Sequence, residues 1–246
     1  MRSIDLNCDM GEGCGNDAEL MNFISSANVA CGFHAGDRDT MRRTAELAIE
    51  KNVAIGAHPG YRDRDNFGRT EMSLPTKEVF ELVREQVLSM SEICAELRVP
   101  LHHVKPHGAL YNQASKDREL AAAIADAVAS VSPDLILYGL SGSLSIDEAE
   151  AAGLKTASEV FADRTYQPDG SLTPRTQPGA LLENVESSID QVFQMVESQS
   201  VMTLAGAQIP LRADTVCIHG DGNSAIEIAK AIRESILARG ILVRTI

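Results

Sequence analysis

No basic run occurs anywhere in the 246 residues. Lys and Arg number 22 against 35 Asp and Glu, a formal charge of −13. The clustered cations with which a nucleic-acid binder displaces phosphate counterions are missing. Long apolar runs are missing too. The longest uncharged stretch, residues 20–36, holds 17 residues and includes Asn22, Asn28, His34 and serines, which is too polar for a membrane span. Met1-Arg2-Ser3 leads into Ile4-Asp5-Leu6-Asn7-Cys8-Asp9, with acids where the apolar part of an export signal would lie. No C-x-x-C pair occurs among the five cysteines, and Cys8, Cys31 and Cys217 lie in apolar, strand-like runs. Reduced thiols in a cytoplasmic protein are the expectation.

Several signatures of chemistry are also absent. There is no G-x-x-x-x-G-K-[ST] to cradle phosphates. Gly11-Glu12-Gly13-Cys14-Gly15 lacks the G-x-G-x-x-G spacing, and Gly139-Leu140-Ser141-Gly142 is no G-x-S-x-G elbow. Cys31, three residues before His34, sits in a strand and reads as core rather than as a thiol nucleophile.

What is present is a chain with 44 % apolar and 23 % charged residues, enough for a packed core. Apolar runs near 3–9, 27–32, 53–58, 102–107, 134–140, 155–161 and 215–220 read as strands. Amphipathic stretches near 17–25, 39–51, 76–97, 117–130, 144–152, 179–198 and 223–239 read as helices. The clearest places Val79, Leu82, Val83, Val87, Met90, Ile93, Cys94 and Leu97 at steps of three and four, with Pro75 suited to its first turn. Ser224 and Glu227 have the spacing of a capping box for the last helix. Residues 59–74 and 163–178 read as polar loops, and 200–212 as a hairpin turning at Ala205-Gly206-Ala207-Gln208 with Pro210 on an edge. No linker composition interrupts 1–246. The alternation predicts one α/β domain, a seven-stranded (β/α) barrel of TIM-like type, with an open doubly wound sheet as the alternative.

In parallel βα folds the ligand site lies where the strands end. Here the strand ends carry Asn7-Cys8-Asp9-Met10-Gly11-Glu12, His34, His58-Pro59-Gly60, Lys105-Pro106-His107, Glu159 with Asp163-Arg164, and His219-Gly220-Asp221. Residues two apart share a face. Asn7 therefore goes with Asp9, His103 with Lys105 and His107, and His219 with Asp221, while Leu6, Val104 and Ile218 suit the helix-facing side. The polar set is expected to converge on the barrel mouth. Plainer readings stand beside this one. Asp37 or Asp39 reads as a helix N-cap, and Asp221 can be read the same way. Asp5 reads as structural, His102 as a packing residue, and Arg62–Asp65 as a solvated loop. Glu159 and Asp163 can be read as ion partners of Arg164 or Arg175, and Arg69 can clamp a carboxylate. Carboxylates, imidazoles and an ammonium around a cavity suit acid–base attack of water on an acyl or glycosyl carbon, with or without a metal.

The blocks Asp5-Leu-Asn-Cys-Asp-Met-Gly-Glu12, Asn28-Val-Ala-Cys-Gly-Phe-His-Ala-Gly-Asp37, Gly56-Ala-His-Pro-Gly-Tyr61, Phe67-Gly-Arg69, Val104-Lys-Pro-His-Gly-Ala-Leu-Tyr111, Glu159-Val-Phe-Ala-Asp-Arg-Thr-Tyr166 and Val216-Cys-Ile-His-Gly-Asp221 closely resemble the LamB/YcsF family, in order and across nearly the whole chain. The resemblance implies a seven-stranded barrel related to glycoside hydrolase and deacetylase barrels. It also implies ATP-dependent hydrolysis of the lactam 5-oxo-L-proline to L-glutamate, together with partner subunits B and C. ATP would be bound by a partner, since no nucleotide loop is visible here. Asp9, Glu12, His58, Lys105 and His107 are the candidate catalytic residues. Asn7, His34, Arg69, Glu159, Arg164, His219 and Asp221 are the candidate substrate-binding residues. No tightly held metal is expected, and Asp9, His34 and His58 would be the ligands if one were present.

Overall fold

A computed structural model describes residues 2–182, 184–220 and 224–246. In chain order the strands are β1 (Ser3–Met10), β2 (Ser26–Ala30), β3 (Ala54–His58), β4 (His103–Val104), β5 (Ile136–Leu140), β6 (Lys155–Phe161), β7 (Ser200–Met202), β8 (Gln208–Pro210), β9 (Thr215–Cys217) and β10 (Leu242–Val243). The helices are α1 (Asp17–Leu20), α2 (Arg38–Lys51), α3 (Thr76–Leu97), α4 (Gly108–Ala114), α5 (Arg118–Val131), α6 (Leu144–Ala151), α7 (Val185–Ser198) and α8 (Ala225–Ala238). Strands β1 to β6 and β9 pair in parallel, and β9 returns to β1 in the register Asp5↔Thr215, Leu6↔Val216, Asn7↔Cys217. That last pairing closes a seven-stranded barrel and excludes the open sheet. The short β10 extends the pairing along the lower end of β1, from Ser3↔Leu242.

Alternation along β1 decides what the barrel holds. Leu6, Cys8 and Met10 are fully buried in the layer shared with the helices. Asp5, Asn7 and Asp9 take the other parity and meet polar side chains of the neighbouring strands β2 and β9 inside the barrel. Helix α3 buries Val79, Leu82, Val83, Val87, Met90, Ile93 and Cys94 on one stripe; each such side chain is worth roughly 1.5–3 kcal/mol on removal from water. Pro75 stands at the N-cap rather than inside the first turn.

Other local expectations shift for physical reasons. Within the 102–107 run only His103–Val104 is regular strand, since Pro106 has no N–H to give, although Lys105 N and His107 N still bond Ala57 O and Pro59 O. Within the 215–220 run only Thr215–Cys217 is regular strand, with Ile218 N still bonded to Asn7 O. Helix α7 starts at Val185, since the preceding residues carry the bridge Arg164↔Leu181. The 17–25 stretch is helical only to Leu20. Ser224 stands at the N-cap of α8 without a side-chain capping bond, so the capping box does not form. Asp37 does cap α2, accepting from Thr40 N at 2.7 Å. The hairpin β7–β8 is antiparallel, with Gln208 in its second strand rather than at the turn. No helix among the described residues is long and apolar enough to cross a membrane.

Candidate active site

The barrel interior is a stack of polar layers. At the bottom, Asp5 accepts from Ser25, Ser26, Thr215 and Tyr138. Above it, Asn7 donates to Thr215 Oγ1 at 2.7 Å, and Asn28 donates to Asn7 Oδ1 and Asp9 Oδ1, both at 2.8 Å. His103 Nε2 donates to Asn28 Oδ1 at 2.8 Å, and its ring stacks on Tyr138. At the top, Lys105 Nζ lies 2.9 Å from Asp9 Oδ1, 3.0 Å from Glu159 Oε1 and 3.1 Å from Cys217 Sγ. Lys105, Asp9 and Glu159 are all buried there, with side-chain exposures of 3 %, 9 % and 0 %. Charges this deep persist only when paired.

Beside this layer, three imidazoles converge on one carboxylate. Glu12 Oε1 lies 3.1 Å from His34 Nε2, 3.3 Å from His107 Nδ1 and 3.9 Å from His58 Nε2. His58 Nε2 is also 3.3 Å from Asp9 Oδ2 and 2.9 Å from His107 Nδ1. The outer nitrogens are tied to backbone: His58 Nδ1 donates to Lys105 O at 2.6 Å, and His107 Nε2 donates to Phe67 O at 2.8 Å. The rings of His34 and His107 stack at 3.8 Å, nearly parallel. Glycines allow this crowding. A Cβ on Gly60 would fall 2.8 Å from His34 Nδ1, and one on Gly68 would fall 2.9 Å from His107 Cδ2. Phe67, with φ 57°, holds a left-handed conformation that costs a non-glycine residue about 1–2 kcal/mol and aims its carbonyl at His107. Gln86 of α3 clamps the adjacent loop by bonding both N and O of Gly60.

The electrostatics follow from burial and partners. Burial alone would raise the Asp9 carboxyl, but His58 and Lys105 outweigh it and hold Asp9 well below the usual range. Burial and then the Asp9 charge push Glu12 up to about 7. Burial disfavours a charged His58, yet Asp9 overcomes this and raises it. His34 is lowered to about 3 by burial and then by His58, and His107 is lowered by burial and then by His34 and His58. Lys105 is raised despite burial, mainly by Asp9.

A cavity of about 710 Å³ opens above these groups. Asp9, Glu12, His58, Lys105 and His107 all line it, as do Arg69, Arg164 and His219. Asn7, His34 and Glu159 do not reach it: they are buried beneath, at 0 %, 1 % and 0 % exposure, and act through Lys105 and Glu12. Asp221 lies outside the described residues. Glu159 pairs with Lys105 rather than with Arg164 or Arg175. Asp163 accepts a bifurcated bond from His219 Nδ1, at 2.8 and 2.9 Å to its two oxygens, while Arg175 and Arg164 act on it more weakly. Arg164 instead donates to Thr173 O, which ties down the 163–178 loop that walls one side of the cavity. Arg62–Asp65 is partly anchored rather than simply solvated, since Arg64 bonds the carbonyls of Gly32 and Gly36. Asp5 and His102 are structural as expected: the former is sealed in the bottom layer, and the latter bonds Ile246 O. Cys31 is buried, and burial pushes its thiol up to about 12, which disfavours the thiolate and agrees with a core residue. Asn28 and Cys217 were not among the expected site residues, and Asp163, read as an ion partner of Arg164 or Arg175, takes His219 instead. Asn28 had a sequence signal, since it is a polar residue inside an apolar strand.

Fold and site together define a class: a closed seven-stranded (β/α) barrel with a buried acid–base cluster at the carboxyl ends of its strands. The chain belongs to the LamB/YcsF family, whose model matches residues 4–246. It is 50 % identical to the A subunit of 5-oxoprolinase from Brevibacillus brevis, over 99 % of this chain and 98 % of that one. It is 42 % identical to the lactam utilization protein of Thermus thermophilus, covering 99 % of this chain and 100 % of the other with a TM-score of 0.93. A family 4 carbohydrate esterase from Streptomyces lividans is similar in fold alone, with a TM-score of 0.51 at 8 % identity over 98 % of this chain and 91 % of that one.

Proposed function

We propose that this chain is the A subunit of an ATP-dependent 5-oxoprolinase and that its barrel mouth hydrolyses the activated lactam. The observation that carries the reading is the full-length 50 % identity to the A subunit of the Brevibacillus brevis 5-oxoprolinase. The site is consistent with it. A five-membered lactam is a stable amide, and phosphorylation of its oxygen makes the ring carbon electrophilic. Partner subunits B and C would perform that transfer, converting ATP to ADP. Water then adds to the carbon, the C–N bond breaks, and hydrolysis of the resulting acyl phosphate gives glutamate and phosphate.

Each group in the site has a part. Asp9, held ionised with Oδ1 fixed by Lys105 and Asn28, orients the water. Lys105 stabilises negative charge developing on oxygen, the task of a preorganised cation in a dry pocket. The cluster of Glu12, His58 and His107 handles the proton, with Glu12 near 7 suited to doing so around neutral pH. The substrate carboxylate meets the cationic wall of Arg69, Arg164 and Arg175.

The test is glutamate release from 5-oxoproline and ATP, by the purified chain alone and after reconstitution with subunits B and C. Turnover is expected only in the complex. Robust ATP-dependent turnover by the isolated chain would overturn the division of labour, and no turnover in the complex would overturn the reading itself.

A further inference from the structure

The inner nitrogens of His58 and His107 pose a problem that a cation would solve. A carbonyl oxygen can only accept, so His58 Nδ1 and His107 Nε2, bonded to Lys105 O and Phe67 O, are the protonated nitrogens of these rings. In the neutral rings His58 Nε2 and His107 Nδ1 then carry lone pairs, and these point at one another across 2.9 Å. Two lone pairs at that distance repel unless a positive centre lies between them. A single shared proton could bridge the two nitrogens, but it gives Glu12 Oε1, which already bonds His34, no reason to converge on the same point at 3.3 and 3.9 Å. The three donors form a triangle with edges of 2.9, 3.3 and 3.9 Å. A tetrahedral ion with bonds of about 2.0–2.1 Å places its ligand atoms about 3.3–3.4 Å apart, in the middle of that range.

Two further observations favour an ion. Three carboxylates, Asp9, Glu12 and Glu159, are buried around this point, and among the described residues Lys105 is their one ammonium partner. One ammonium does not balance three carboxylates, and a bound cation would offset the remainder. His34 also has the geometry of a residue that aims a ligand. Its Nε2 lies 3.1 Å from Glu12 Oε1, and its buried Nδ1 has no partner among the described residues. The lower-cost tautomer donates from Nε2 to the carboxylate and leaves only a bare acceptor unpaired.

We propose that Glu12, His58 and His107 form a binding site for a divalent transition ion of the zinc, manganese or cobalt kind, with His34 as the residue that positions Glu12. Two imidazoles and one carboxylate are a donor set that suits these ions and poorly suits magnesium or calcium. Three protein ligands facing an open cavity leave a coordination position for water, which is the form of a catalytic rather than a structural site. Such an ion would lower the pKa of its water or polarise an acyl oxygen. The donor set differs from Asp9, His34 and His58: Asp9 Oδ1 is committed to Lys105 and Asn28, while its Oδ2 faces His58.

The test is metal binding, read independently of turnover, so its failure is distinct from failure of the lactam reading. The full chain is purified without affinity-metal resin, stripped with chelator, and dialysed against micromolar Zn²⁺ or Co²⁺. About one equivalent should bind, Co²⁺ should show the intense visible bands of a four- or five-coordinate site, and the melting temperature should rise with metal concentration. Glu12→Gln and His107→Gln should each weaken binding by about 100-fold or more, and His34→Gln by about 10- to 100-fold, the range for a residue that orients a ligand. His102→Gln should bind as the parent does. Wild-type protein that gains neither Co²⁺ bands nor thermal stability has a proton-bridged histidine pair instead, and the proposal falls whatever the variants do. Undiminished binding in a folded His58→Gln/His107→Gln double variant would overturn it as well.

Discussion

Gly68 and His107 pack so closely that a methyl group on the first would sit 2.9 Å from Cδ2 of the second and 2.8 Å from Cβ of His34. Gly68 also has φ 65°. Alanine there meets two penalties, a left-handed backbone at about 1–2 kcal/mol and a clash with the imidazole stack. Gly142 isolates the first penalty, because its φ is 72° and nothing lies within 4 Å of its would-be Cβ. Gly142→Ala should lose about 1–2 kcal/mol in chemical denaturation and keep full turnover in the complex. Gly68→Ala should lose more stability and cut turnover by about 100-fold or more, since displacing a catalytic imidazole by an ångström costs that much. Equal turnover in the two variants would show that the stack has no catalytic part.

Lys105 is tied to Asp9 and Glu159 in a pocket without water-exposed alternatives, so its removal should be felt in stability as well as in activity. Lys105→Met leaves two buried carboxylates without their ammonium and should destabilise by about 3–5 kcal/mol. Adding Glu159→Gln removes one stranded charge, so the double variant should recover part of that loss while remaining inactive. A denaturation double-mutant cycle measures the coupling. Strictly additive single-variant costs would show that the ion pair is not what holds Lys105.

The barrel was legible in the sequence because strand and helix periods differ, and because polar residues sat at nearly every strand end. Parity along β1 sufficed to send Asp9 inward and Leu6 outward. Which polar group meets which was not legible. Lys105 pairs with Glu159 across the barrel, and Asp163 with His219, through a closure that no local spacing encodes. Cys217 reads as a core cysteine in an apolar strand, yet its sulfur accepts from Lys105. Gln86 lies on the apolar stripe of α3 and carries no sign in sequence that it clamps Gly60. The capping box at Ser224 has the right spacing but no bond, since spacing makes a cap possible without selecting the rotamer.

Asp5 at the barrel bottom should make stability fall as pH rises from acid. Burial raises its carboxyl above the ordinary 3.8, despite the lowering effect of Ser25 and the other hydroxyl donors. Below pH 3.8 both folded and unfolded chains carry the proton, and nothing is lost. Above it the unfolded chain ionises first, so folding is disfavoured progressively until the folded carboxyl also ionises, and the loss then stays constant. Asp5→Asn has no such titration. Unfolding free energies of the two proteins, compared from about pH 3.5 to neutrality, should differ by an amount that shifts in favour of the variant as pH rises. Parallel curves would mean that Asp5 has the same proton affinity folded and unfolded.

The cationic wall makes the last prediction, which concerns binding rather than chemistry. Arg69 and Arg175 line the cavity on loops 59–74 and 163–178, apart from the buried cluster formed by Asp9, Lys105 and the imidazoles. If they hold the carboxylate of 5-oxoproline, they contribute equally to bound substrate and to the transition state. Such uniform binding appears in KM and leaves kcat unchanged. Arg69→Gln and Arg175→Gln should each raise KM of the reconstituted complex by about 10-fold, equivalent to about 1.4 kcal/mol, with kcat within about twofold. The amide of 5-oxoproline, in which the carboxylate is replaced by a neutral group, should bind wild type weakly and lose little more in either variant. Steady-state kinetics with both compounds separates the outcomes. A fall in kcat at unchanged KM would move the arginine from the substrate carboxylate to the charge that develops at the reacting carbon.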